Sequence, residues 1–107
     1  MTMNTIKVRD IVQDDSVLGR FRGGELRRIA VETLQQEPRV RFDFDGIVLI
    51  TQSAADEFVG RLRRYDEPLL DCIAFAHCSE DVSHMLQWAM DNAFSVSERQ
   101  EALGLKD

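Results

Sequence analysis

Four groups of residues in this chain have types and spacing that could do chemistry. Asp43 and Asp45 flank Phe44, and on an extended strand two such carboxylates share a face. A pair like this can divide acid and base roles or hold Mg²⁺. No third ligand stands beside it, and Asp45-Gly46 also spells a simple turn. His77, Cys78 and His84, with Cys72 upstream, are metal-donor types. They lack the Cys-x-x-Cys spacing and the fourth ligand that a zinc site normally has. Cys78 and His84 could also pair as thiolate and base. Glu80 and Asp81 oppose a thiolate there, and no third residue orients the base. The plainer reading makes Cys72 a small buried residue and the histidines surface or cap groups. Arg20-Phe21-Arg22-Gly23-Gly24-Glu25 is similar to an anion cradle ahead of a helix. It lacks the Walker spacing, and a turn entering a helix needs the same residue types. Lastly, Ser53 precedes Asp56 and Glu57. A serine at that place caps a helix whose first turn carries favourable negative charge. No enzyme, cofactor or resident metal is expected from these groups.

The elements that must position these residues follow from periodicity. Residues 6–12 alternate apolar and polar and predict a strand, followed by a polar turn at 13–15 and a short strand within 16–21. Gly23 and Gly24 read as a break. Leu26, Ile29, Ala30 and Leu34 then recur at helical spacing until Pro38 stops the helix. Residues 40–44 predict a strand closed by Gly46; 47–50 extend it or line a buried turn. Ser53 opens the next helix, whose apolar stripe is Phe58, Val59, Leu62 and Tyr65. Arg61, Arg63 and Arg64 lie near its C-terminus, where positive charge is favoured. Residues 72–76 are a nearly continuous apolar run, predicting a strand buried on both faces. Ser79 caps a last helix with Val82, Met85, Leu86, Ala89, Met90 and Ala93 as its stripe. Residues 94–107 read as a C-terminal tail or a short helix over 97–103. Strands alternating with helices predict a single α/β domain over 1–107. It would have a mixed sheet of about four strands, parallel neighbours and helices mainly on one face.

Composition narrows the function classes. The 107 residues are 44% hydrophobic and 30% charged, with a formal charge of −6. An acidic balance argues against nucleic-acid or anionic-membrane binding, which relies on excess Lys and Arg. No apolar run nears the roughly 20 residues of a membrane span, and the N-terminus lacks a signal-peptide core; a cytoplasmic, soluble protein is expected. The charge is divided: residues 1–64 carry 11 bases and 10 acids, residues 65–107 carry 2 bases and 9 acids. The plain reading is a solvated face on each helix. The sharper one is a basic face and an acidic face suited to a charged protein partner.

One stretch carries a resemblance. Asp43-Phe44, Gly46-Ile47, Ile50-Thr51-Gln52-Ser53 and Ala55-Asp56-Glu57 resemble the signature of the STAS-like family of unknown function. That signature is a strand ending in Asp-Phe, a Gly-Val or Gly-Ile step, an Ile-Ser/Thr-x-Ser segment and a helix opening with Ala-Asp-Glu. The family often has Phe after the Ser, where this chain has Ala54. STAS domains proper include the anti-anti-sigma factors. They bind a partner through the loop and helix after the central strand. In many, an ATPase-type kinase phosphorylates a Ser or Thr at that helix start and abolishes binding. The Asp-Ser-Ser-Gly or Asp-Ser-x-Gly of those proteins is absent here. The resemblance implies a non-catalytic regulatory module with Thr51, Ser53, Asp56 and Glu57 at the partner-binding or switch surface, and an ATPase-type kinase or other regulator as partner. Two other classes remain open. One is a small-ligand or nucleotide-binding domain using Arg20, Arg22, Gly23 and Gly24. The other is an acidic inhibitor or decoy of a nucleic-acid-binding protein, acting through its C-terminal acids.

Overall fold

The computed structural model describes residues 4–93. Three parallel strands, β1 (Asn4–Lys7), β3 (Val40–Asp43) and β5 (Ile73–Ala76), form the main sheet in the order β1-β3-β5. Two shorter strands, β2 (Ser16–Val17) and β4 (Leu49–Ile50), pair in parallel as a separate ribbon. The helices are α1 (Val8–Val12), α2 (Gly19–Leu34), α3 (Gln52–Ala55), α4 (Arg61–Tyr65), α5 (Glu67–Leu70) and α6 (Glu80–Asp91). A π-helical stretch, Asp56–Gly60, joins α3 to α4. The α/β class is as expected from the sequence, with five short strands among the described residues in two sheets.

The strand order explains where the core lies. Two crossovers step across the sheet in the same direction, and right-handed crossovers of that kind lay their helices on one face. Along β3, Val40 and Phe42 are buried while Arg41 is exposed and Asp43 half-buried. The same alternation leaves Thr5 and Lys7 of β1 exposed. Phe42, Phe58 and Phe75 meet on the covered face, with ring centroids 5.0 and 6.2 Å apart. Phe42 and Phe58, both fully buried, each contribute about 1.5–3 kcal/mol by leaving water, and the half-buried Phe75 less.

Several local expectations need correction. Residues 8–12 are a helical turn rather than the end of a strand. Val8 and Val12 are both buried, four apart, so the short apolar run satisfies the helical period as well as the extended one. Gly23 and Gly24 do not break the chain; they lie inside α2, which starts at Gly19. The strand at 73–76 is an edge strand with Ile73 buried and its other three residues half-buried, not one covered on both faces. Tyr65 is 62% exposed and leaves the apolar stripe, its ring covered by the guanidinium groups of Arg61 and Arg64 at 5.5 and 6.0 Å. Ser79 caps α6 as read, its Oγ accepting from the Val82 amide at 3.2 Å. The expected tail or short helix within 94–107 lies outside the described residues.

Candidate functional site

The start of α3 is built from three directions. The β2–β4 ribbon brings residue 51 beside the end of β2, where the Thr51 amide donates to the Val17 carbonyl at 3.0 Å. The chain after β2 turns through Gly19, whose φ of +79° only glycine adopts readily. The Gly19 amide donates to Thr51 Oγ1 at 2.9 Å, and the Ala54 amide donates to the same oxygen at 3.3 Å. Thr51 is therefore the N-cap of α3. The sequence reading gave that role to Ser53, and the structure corrects it. Ser53 is the second residue of the helix, with its Oγ 3.4 Å from Thr51 Oγ1. Threonine caps as serine does, and the backbone is still extended at residue 51.

Behind this helix start stands a network of arginines and carboxylates. Arg64 donates to Asp56 at 2.7 and 3.4 Å, and Arg20 donates to it at 3.2 Å. Glu57 lies between Arg27, Arg61 and Arg20 at 3.5, 3.7 and 3.9 Å. Hydrogen bonding from Arg64, opposed by burial and helped by Arg20, holds the Asp56 carboxyl below the ordinary aspartate value. The π-helical stretch widens the helix, and the Glu57 carbonyl within it accepts from Arg27 Nη1. Gly60 makes room for the pair, since a Cβ there would sit 2.7 Å from Asp56 Oδ1. Arg20, Thr51, Gln52, Ser53, Asp56 and Arg64 share an open pocket of about 690 Å³, completed by Tyr65, Trp88 and Asn92. The structure thus brings Thr51, Ser53, Asp56 and Arg20 together, with Glu57 just behind.

The proposed anion cradle is not assembled. Arg20 faces Asp56, Arg22 pairs with Glu25 at 2.9 Å, and Gly23 is packed where a Cβ would overlap the Ala54 carbonyl. Gly24 has only ordinary contacts around it. The turn that would point amides at a phosphate is absent, because residues 19–34 are one helix.

A second polar group sits at the carboxyl ends of β3 and β5. His77 Nδ1 lies 2.9 Å from Asp43 Oδ1, and that oxygen also accepts from the Asp45 amide at 2.9 Å. The amide and the imidazole lower the Asp43 pKa. Asp45 lies in the turn beyond β3, and with Asp43, Lys7, Arg9 and Asp10 it lines a small hollow. Burial, aided by Asp43, pushes the Cys78 thiol up, which disfavours the thiolate form. Among the described residues no group of three or more His, Cys, Asp or Glu is placed to hold a metal, and none of the helices is long and apolar enough to cross a membrane. The Asp43–His77 pair was not foreseen; its partners are 34 residues apart, and no local pattern joins them. No family model, curated protein or solved structure matches the chain.

Proposed function

We propose that this chain is a non-catalytic regulatory interaction module of the STAS-like kind, docking a protein partner on the start of α3 and the loops beside it. A phosphate on Ser53, added by an ATPase-type kinase, would release that partner. The observation that carries this reading is the electrostatic state of the α3 start. The charges behind it are paired within the chain, while Gln52 is exposed and Thr51 and Ser53 are half-buried at an open pocket. A fixed, internally neutralised surface suits docking better than catalysis. It is also one that a modification can change without unfolding the chain. A phosphate would add about −1.5 to −2 charge at a helix N-terminus, beside Arg20 and Arg64, which line the same pocket.

Affinity for a partner recovered by cross-linking from the native cell tests the switch. Ser53→Asp should fold normally and bind at least about tenfold more weakly, or about 1.4 kcal/mol. Ser53→Ala should bind as the natural chain does. Undiminished binding by Ser53→Asp removes the switch.

A further inference from the structure

The α3 start adjoins a groove of different character. Leu49 on β4 is 44% exposed and Trp88 on α6 is 40% exposed. With Ile50 and Met85 they line a hollow of about 450 Å³, rimmed by Asp81 and His84. Trp88 is the wall that this groove shares with the pocket at Ser53.

The charges around the groove indicate what would fill it. Behind the α3 start, Asp56 and Glu57 each meet arginines, as do Glu25 and Glu67 elsewhere. On α6, Glu80, Asp81 and Asp91 are exposed, and among the described residues no cation pairs with them. From Tyr65 to Ala93 the sequence has no Lys or Arg. An apolar floor thus runs beside an unbalanced acidic helix. We infer that the groove seats an amphipathic helix of the protein partner, its apolar side chains on Leu49, Met85 and Trp88 and its Lys or Arg side chains against the α6 acids. This rests on the docking reading and adds the chemistry of the partner. Apolar residues at i, i+3, i+4 and i+7 are how a helix fills such a groove. Opposite charge sets its orientation and rejects acidic competitors. Ser53 lies in the pocket that shares the Trp88 wall with this groove, so a charge there acts on the edge of the docked partner by resisting desolvation rather than by repulsion.

Trp88 is the only tryptophan in the chain, so its emission reports on the groove when the probe has none. Two synthetic peptides of about 18 residues share one leucine face at helical spacing; one carries Lys on its flanks and the other Glu. The Lys peptide should shift Trp88 emission to the blue and bind at least about tenfold more tightly than the Glu peptide, with salt weakening it. Leu49→Asp should reduce its binding about tenfold or more, with folding checked by circular dichroism; the milder Leu49→Ser replaces it if folding fails. Glu80→Gln with Asp81→Asn should reduce both affinity and salt dependence. The inference is overturned if neither peptide moves Trp88 emission, if both bind alike, or if the Leu49 variant binds like the natural chain. The native partner separates the two readings. Release by Ser53→Asp without any effect of Leu49→Ser keeps docking at α3 and removes the groove. The reverse pattern keeps the groove and removes the switch.

Discussion

At the residue scale, Thr51 takes the capping role that the sequence suggests for Ser53. Thr51 Oγ1 takes both the Ala54 and the Gly19 amides. Thr51→Ala therefore removes a cap worth about 1 kcal/mol and leaves a partly buried amide unpaired at about 1 kcal/mol or more. Urea denaturation should show a loss of about 2 kcal/mol, with Thr51→Ser restoring most of it. Ser53→Ala, by contrast, should stay within about 0.5 kcal/mol of the natural chain. A rule that prefers serine at a helix start could not separate two hydroxyls two residues apart; the contact with Gly19 decided it. The Asp56–Arg64 pair has its own signature in pH. The folded Asp56 pKa lies below the ordinary 3.8, so the unfolded chain binds the proton more readily and stability rises with pH. Its contribution is complete above the ordinary value and is lost as pH falls through the folded one. Asp56→Asn should flatten the stability profile below about pH 4, measured by urea midpoints across that range. Asp43, lowered by the Asp45 amide and His77, acts in the same window and with the same sign.

At the element scale, two adjacent glycines in α2 have opposite meanings. Gly23 lets α2 approach the α3 backbone so closely that a Cβ would overlap the Ala54 carbonyl. Gly24 faces ordinary contacts with Glu57 and Arg27 at 3.6 and 3.7 Å. Gly23→Ala should destabilise by about 2 kcal/mol or more despite its better helix propensity. Gly24→Ala should stabilise by about 0.5–1 kcal/mol. Thermal melting of both variants checks the pair, and equal shifts would deny the close crossing. Glycine pairs are weak helix formers, which is why this stretch reads as a break in the sequence; only the packing of α2 on α3 accounts for the helix there. Elements with a strong period were legible: residues 40–43, and α6 with its Ser79 cap. The β2–β4 ribbon, of two residues per strand, was only partly so, since pairing across the fold defines it. The arginine network was illegible for the same reason. Arg20 meets Asp56 across 36 residues and Arg27 meets the Glu57 carbonyl across 30, so two arginines of a run that reads as a solvated face are contacts between α2 and the α3–α4 helix.

At the scale of the whole molecule, the split in charge acquires a structural form. Arg20, Arg27, Arg61 and Arg64 neutralise Asp56 and Glu57 behind the α3 start, while Glu80, Asp81 and Asp91 stand exposed on α6. On the docking reading proposed above, raising salt should change partner binding much more than folding, because exposed charges are screened and partly buried pairs far less so. Titrating salt against both quantities tests this, and parallel losses would contradict it. The strand order carries a consequence for time rather than for shape. β3 pairs with β1, and β5 pairs with β3, so each strand joins the one made before it in the same sheet. None waits for a distant terminus to close the sheet. The two crossovers, Asn4 to Val40 and Val40 to Ile73, are of similar length, so loop entropy favours neither pairing over the other. On a ribosome, β1 and β3 are available to each other before β5 has left the tunnel, and the last strand arrives at an edge already formed. In pulsed hydrogen exchange during refolding, amides between β1 and β3 should gain protection no later than those between β3 and β5.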